Sequence, residues 1–249
     1  MSRAGAIRCA LVALILAALE ALCRAGAVRP QVIIAPSEMA LTLARLLAGG
    51  SMTADLLRTG ACVAAAFVLA VVAGFVAGVA IHAVPRLRAA LDPFFATYYA
   101  VPFFAFYPVL VALFGLSLWP VIVIGFMFAV VAMIMATLDG LDRIPRVLPK
   151  VARVHRMGRV ETALRLLLPA AAPRLFTGIK LAVAYAFIGV IASEFILSGA
   201  GLGYAIAYAY NSFETARMYA LMLFIVAVVT AVNMGLYAIE RRLAQRWGR

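Results

Sequence analysis

Between Arg58 and Arg86 this chain carries no Asp, Glu, Lys or Arg, and the same holds between Asp92 and Asp139 and from Met218 to Ile239. Runs of that length leave few options. A soluble helix must put charge on its solvent face every turn or two, whereas about 20 apolar residues suffice to cross the hydrocarbon of a bilayer. Composition agrees: 67% of residues are hydrophobic and only 13% charged, against about a quarter charged in soluble domains, and the mean hydropathy is +1.08. The chain reads as an integral membrane protein, all-α, because only helices satisfy their own backbone within a single apolar segment.

The runs place the spans. One covers Gly60–Val84; two fit between Asp92 and Asp139, turning at Phe114–Pro120 ("FGLSLWP"); the last is Met218–Ile239. Two more are interrupted by an acid: Leu181–Leu197 by Glu194 and Ile7–Leu22 by Glu20. The first of all also has the length of a signal-peptide apolar region, with "RAGA" following. An uncleaved anchor is the favoured reading, since little exported sequence separates it from the next span. The total is about six transmembrane helices. With both ends inside, 17 of the 22 Lys and Arg fall on the cytoplasmic side and Arg24, Arg29, Arg45, Arg58 and Arg217 outside, so the positive-inside rule predicts N-in, C-in. The net charge of +12 is accounted for by orientation rather than by nucleic acid, for which no solvated face exists.

Between the fourth and fifth spans lies a basic loop of roughly forty residues, far longer than an ordinary helix connection. Val151, Val154, Met157, Val160 and Leu164 recur there at helical spacing with Arg153, Arg156 and Arg159 between them, predicting an amphipathic helix over Leu148–Leu168 that Pro169 and Pro173 then break. By composition such a helix either lies on anionic lipid or is presented to a cytoplasmic partner.

Little else offers chemistry. Cys9, Cys23 and Cys62 have no CxxC spacing, and His82 and His155 stand far apart, so neither a disulfide framework nor a metal site is expected. "GAGLG" (Gly199–Gly203) lacks the GxGxxG spacing, and no Walker A, GxSxG or HExxH sequence occurs. Gly74 and Gly78 form a small-xxx-small pattern suited to close helix packing. Glu194 is open between lining a solute path and capping a neighbouring helix or reaching the outer interface. Tyr98, Tyr99, Phe103, Phe104, Phe106 and Tyr107 read as packing before they read as a binding surface.

"LLLPAAAPRLFTGIKLAVAYAFIGVIASEFI" (Leu166–Ile196) followed by "GAGLGYAI" (Gly199–Ile206) resembles the permease subunits of bacterial ABC importers, in their nitrate/sulfonate/taurine-type branch. "APSEMALTLARLLAGGSMTADLLRTG" (Ala35–Gly60) and "YYAVPFFAFYPVLVALFGLSLWP" (Tyr98–Pro120) are similar to the same branch, so the resemblance runs from Ala35 to the C-terminus. It implies one transmembrane permease domain over residues 1–249 (core 55–240, coupling loop 139–177) in the bacterial inner membrane. It also implies pairing with a second permease, a cytoplasmic ATPase dimer that holds ATP and Mg, and an extracytoplasmic solute-binding protein. No cofactor or catalytic residue is expected in this chain. The solute class implied is nitrate, sulfonate or taurine, or a vitamin precursor; a secondary carrier and an intramembrane enzyme are the rival readings. The resemblance assigns Lys150, Val151, Ala152, Arg153, Arg156, Gly158, Pro169 and Pro173 to ATPase coupling, and Tyr98, Pro102 and Glu194 to the translocation path. One departure stands out. Counting back from Leu168–Pro169, the family's Glu-Ala-Ala-like start falls on Lys150, Val151 and Ala152, and its glycine falls on Arg156, with a glycine only at Gly158. Ala152 and Gly158 are expected to be small residues at the docking surface.

Overall fold

A computed structural model describes residues 3–29 and 32–246, and every regular element among them is helical. In order these are α1 (Arg3–Arg24), α2 (Pro36–Ala48), α3 (Thr53–Ala83), α4 (Pro85–Thr97), single turns at Tyr98–Ala100 and Phe103–Phe106, and α5 (Tyr107–Phe114). Then follow α6 (Trp119–Asp142), α7 (Val147–Val154), α8 (Arg159–Thr162), a π-helical turn (Ala163–Leu167), α9 (Leu168–Leu197), α10 (Leu202–Asn211) and α11 (Thr215–Arg246). Among the described residues, four stretches are long and apolar enough to cross a membrane: Thr53–Ala83, Trp119–Asp142, Val160–Leu197 and Thr215–Arg242. A fifth is added if Pro85–Ala100 and Phe103–Phe114, bent at 87° to each other, are taken as one broken span.

That bend corrects the expectation of a regular span after Asp92. Pro102 brings no N–H and holds Val101 in extended backbone (ψ 125°), as a residue before proline prefers. No α-helix can run through that pair. The expected turn is present: Gly115 (φ 67°) ends α5 and α6 starts at Trp119.

The chain divides into two compact units, Met1–Arg58 with Glu194–Val228, and Thr59–Ser193 with Val229–Arg249; each boundary falls inside a helix. In the second unit, Cys62, Ala66 and Ala70 of α3 meet Val121, Ile124 and Ala129 of α6 and Ala182, Ala186 and Val190 of α9. Small residues make this possible. A Cβ on Gly74 would lie 2.7 Å from the Met133 Cβ, and one on Gly78 would lie 2.6 Å from that of Thr137, so the small-xxx-small pattern is indeed a close α3–α6 contact. One on Gly189 would lie 2.8 Å from the Gly125 Cα, at the α6–α9 crossing. Buried hydroxyls are satisfied within their own helices, Thr137 on the Met133 carbonyl (2.7 Å) and Ser193 on that of Gly189 (2.6 Å). In the first unit, Met52, Leu202, Ala205, Ile206 and Leu221 form a separate core, flanked by Leu43, Leu46 and Leu56.

Candidate functional site

The stretch after α6 is built differently from the single amphipathic helix expected over Leu148–Leu168. α7 stops at Val154 because its end closes as a Schellman turn. The Met157 N–H bonds the Ala152 carbonyl (2.9 Å), and the Arg156 N–H bonds that of Arg153 (3.1 Å), which requires a left-handed residue between them. Arg156 is that residue, at φ 52°. It stands where the resemblance puts a glycine, so the backbone keeps the glycine's conformation while the side chain does not. For a residue with a Cβ that costs about 1–2 kcal/mol.

The helix restarts at Arg159 and continues through Leu197. Pro169 and Pro173 therefore do not break it, contrary to expectation. Pro169 sits in the first turn of α9, directly after the π turn, where the Leu168 N–H reaches back five residues to the Ala163 carbonyl. The widened turn shifts the carbonyl register ahead of a proline that has no N–H to offer its own i−4 partner. Val160–Leu197 is then a rod of about 57 Å at 1.5 Å per residue, well beyond the ~30 Å of bilayer hydrocarbon.

Along this region Lys150, Arg153, Arg156 and Gly158 are exposed, Val151, Pro169 and Pro173 are half-buried, and Ala152 is buried. Ala152 thus packs into its own chain and is not part of a free docking face. Gly158 is exposed, with nothing within 4 Å of the position a Cβ would take. Of the apolar positions read at helical spacing, Val154 (80%), Val160 (72%) and Leu164 (60%) leave most of their surface uncovered, as does Val147 (58%), which the sequence did not single out.

The base of this region is tied by ions. Arg88 makes two 2.6 Å bonds to Asp142, which His82 Nε2 also approaches at 3.3 Å. Asp139 bonds Arg143 at 2.6 Å and lies 3.5 Å from Arg174. The end of α3, the start of α4, the end of α6 and the first turns of α9 are so held together. Arg143, outside the spans, is kept more firmly protonated by its bond to Asp139.

In the other unit, Glu194 is fully buried and its Oε2 accepts the Gly203 N–H at 3.1 Å. Gly203 is the second residue of α10, so the carboxylate caps that helix against its positive end. Asp55, in the first turn of α3, accepts the Gly201 N–H at 2.9 Å. Gly201 has φ 106°, and a Cβ there would lie 2.4 Å from the Glu194 carboxylate. Of the two readings open for Glu194, the geometry is that of a cap, not of a side chain facing open space. Tyr98 is likewise buried, its hydroxyl donating to the Met127 carbonyl at 2.8 Å, while Pro102 is exposed at the bend. Tyr98 and Pro102 belong to one unit and Glu194 to the other. Asp55 was missed, and nothing in the sequence joins it to a glycine 146 positions away.

Residues 70–249, which take in α7, the π turn and the capped loop, match the family of binding-protein-dependent transport system inner membrane components. The chain belongs to that family. Among its relatives, the nitrate import permease protein NrtB of Leptolyngbya laminosa is 32% identical over 171 residues, 69% of this chain and 61% of that one. The bicarbonate transport system permease protein CmpB of Synechococcus elongatus is 31% identical over 188 residues (74% and 65%). The taurine transport system permease protein TauC of Escherichia coli is 27% identical over 174 residues (70% and 63%). The chain thus matches somewhat under two thirds of each relative's length. Its fold is that of a chain from the inward-facing MetNI methionine ABC transporter, with a TM-score of 0.68 at 19% identity, covering 77% of this chain and 95% of that one. The resemblance to the nitrate/sulfonate/taurine branch is borne out by these relatives, and a multi-pass membrane protein by the family and the spans.

Proposed function

We propose that this chain is the transmembrane permease subunit of an ATP-driven ABC importer, forming the path for a small solute handed over by an extracytoplasmic binding protein. The observation that carries this reading is the family match over residues 70–249, and α7 suits it: a short helix outside every span, with Val147 and Val154 uncovered. In this reading the chain pairs with a second permease, α7 docks into a cytoplasmic ATPase dimer, and ATP with Mg is bound there and not here. The protein lies in the bacterial inner membrane with both ends inside. That topology places the Arg88–Asp142 and Asp139–Arg174 pairs on the cytoplasmic side, as the charge split requires.

The mechanics follow from the connections. When ATP closes the ATPase dimer, a docked α7 moves as a body, and the Schellman turn at Arg156 passes that displacement to the α8–α9 rod. The π turn interrupts the regular α-helical hydrogen-bond pattern on the way. The prolines beyond it lie within a continuous helix, so motion reaches the membrane by tilting a rod.

The test is reconstitution of the permease with its ATPase and binding protein in proteoliposomes. Uptake of the binding protein's ligand should require ATP and all three components. Uptake by the permease alone, driven by an ion gradient, would instead establish a secondary carrier.

A further inference from the structure

Beside α6 and α9 lies a cavity of about 430 Å³ that no assigned role uses. It is lined at one end by Tyr99 and Tyr185 and at the other by Asp139 and Arg174, with Met135 and Thr177 among the side chains between them. The two tyrosine rings are stacked, 5.1 Å between centroids and 28° between planes. Tyr99 keeps 45% of its surface exposed, which leaves room for a further ring against the pair. At the far end one carboxylate faces two guanidiniums, since Asp139 bonds Arg143 at 2.6 Å and stands 3.5 Å from Arg174. The local balance is one positive charge in excess. The cavity is mostly apolar, with charge concentrated at one end, the usual make-up of an organic-ligand site.

We infer that this cavity binds an organic anion, with a flat ring against Tyr99 and Tyr185 and an acidic group carried on a short chain to Arg174. Arg174 and Tyr185 are eleven residues apart on α9, about 16 Å of helix, and both side chains reach into the gap. A ring with an extended acidic chain spans what is left; a bare inorganic ion such as nitrate or bicarbonate touches only one end. The stacking surface discriminates on the ring and Arg174 on the acid, whose guanidinium suits a carboxylate, sulfonate or phosphate. This assignment rests on the importer reading for its purpose, as a solute site inside the permease, but not for its chemistry.

The full chain in lipid nanodiscs is titrated calorimetrically with 3-phenylpropane-1-sulfonate, and with propane-1-sulfonate, 3-phenylpropan-1-ol and nitrate. The first should bind, and each of the others at least about tenfold more weakly, because each lacks the ring or the acid. Tyr99→Leu and Arg174→Gln should each weaken it about tenfold while the unliganded melting temperature falls by no more than a few degrees, and Tyr99→Phe should change neither. Nitrate binding as tightly as the phenyl sulfonate, no binding of the phenyl sulfonate, or equal binding to wild type and both variants would overturn the proposal. If the cavity is instead filled by a second copy, Met135→Cys will cross-link between copies and its maleimide labelling will not respond to the sulfonate, which also overturns it. ATP-driven uptake of the binding protein's own ligand by the wild-type complex is measured in parallel. Uptake with unaltered binding in the variants sinks the cavity alone, and selective binding without uptake sinks the importer reading alone.

Discussion

α7 and α10 are both short helices stopped in the same way, and they differ in what they do with their apolar residues. Each ends in a Schellman turn whose left-handed position holds a residue that is not glycine: Arg156 (φ 52°) after α7 and Phe213 (φ 57°) after α10. In the second turn the Glu214 N–H bonds the Ala209 carbonyl at 2.8 Å. α10 then buries Leu202, Ala205, Ile206 and Ala209 and has its start capped by Glu194. α7 buries only Ala152 and leaves Val147 and Val154 in the open. The same local device serves a helix finished within its own unit and a helix still lacking a neighbour. Burial, not helix type, separates the helix finished within its own unit from the one proposed to dock.

If that contrast is right, damage to α10's attachments should cost folding, and more heavily than any change to α7. Gly201→Val puts a side chain where the Glu194 carboxylate stands, on a backbone that only glycine adopts without strain. About 4 kcal/mol is expected from strain and overpacking together. Glu194→Leu removes the cap and strands a buried N–H, at about 2–4 kcal/mol, while Glu194→Gln keeps an acceptor and should cost less. Melting of the purified permease reads all three. Were Glu194→Leu to melt like wild type yet fail in transport, the carboxylate would belong to the solute path after all.

The second effect should appear on the other side of the comparison. Val154→Asp with Val160→Asp changes side chains that are 80% and 72% exposed, so melting should stay within a degree or two. Association with the ATPase should weaken by a factor of 100 or more, because two apolar anchors become charges that docking must desolvate. Pull-down of the ATPase from detergent measures it. Retained association would return α7 to the lipid surface.

The sequence carried four of the spans because their signal is a near absence of charge over twenty residues, which burial does not alter, whereas the run after Asp92 is bent at Pro102. It also carried Gly74 and Gly78, since a spacing of four on a helix needs no tertiary knowledge. It did not carry the continuity of α8 and α9. Pro169 and Pro173 read as breaks from local propensity, yet Pro169 stands in the first turn after a π turn and Pro173 is carried inside a continuous helix. Glu20 read only as an interruption of an apolar run, while Glu194 was open between a solute path, a helix cap and the outer interface. Each is the cap of the next helix, Glu20 accepting the Ser37 N–H at 3.0 Å at the start of α2. That signal was in the sequence, as an acid shortly before a short helix, but its target depends on a chain reversal that spacing does not reveal. The cavity between α6 and α9 was out of reach for the same reason, because Tyr99, Asp139 and Tyr185 meet only once three helices are packed.

A third, smaller effect separates the two residues expected at the docking surface. Ala152 is 4% exposed, so Ala152→Glu forces a charge under α7 and should loosen it by about 2 kcal/mol, seen as faster proteolysis between α6 and α8. Gly158→Glu meets open space and should leave proteolysis unchanged while lowering ATPase association. Equal protease sensitivity in the two variants would mean that α7 lies loose and that Ala152 is not packed.

The smallest expected effect has the opposite sign. Arg156→Gly removes a Cβ from a left-handed position, which should stabilise the α7 turn by about 1 kcal/mol, less the greater freedom that glycine gives the unfolded chain. Hydrogen exchange at the Arg156 and Met157 amides should slow, since these two amides make the Schellman bonds. Phe213→Gly should do the same at the Glu214 amide. The two differ in their second consequence. Phe213 is 90% exposed, and its replacement should leave ATPase association untouched. Arg156 lies between α7 and the rod, so Arg156→Gly removes a charge beside the docking face at the same time as it relieves the backbone. If the arginine is present for the ATPase, exchange slows while association weakens; if it is present only as a tolerated replacement, exchange slows and association holds or improves. Exchange that quickens in Arg156→Gly would show that the side chain anchors the turn, and the comparison between α7 and α10 would then rest on two different kinds of stop.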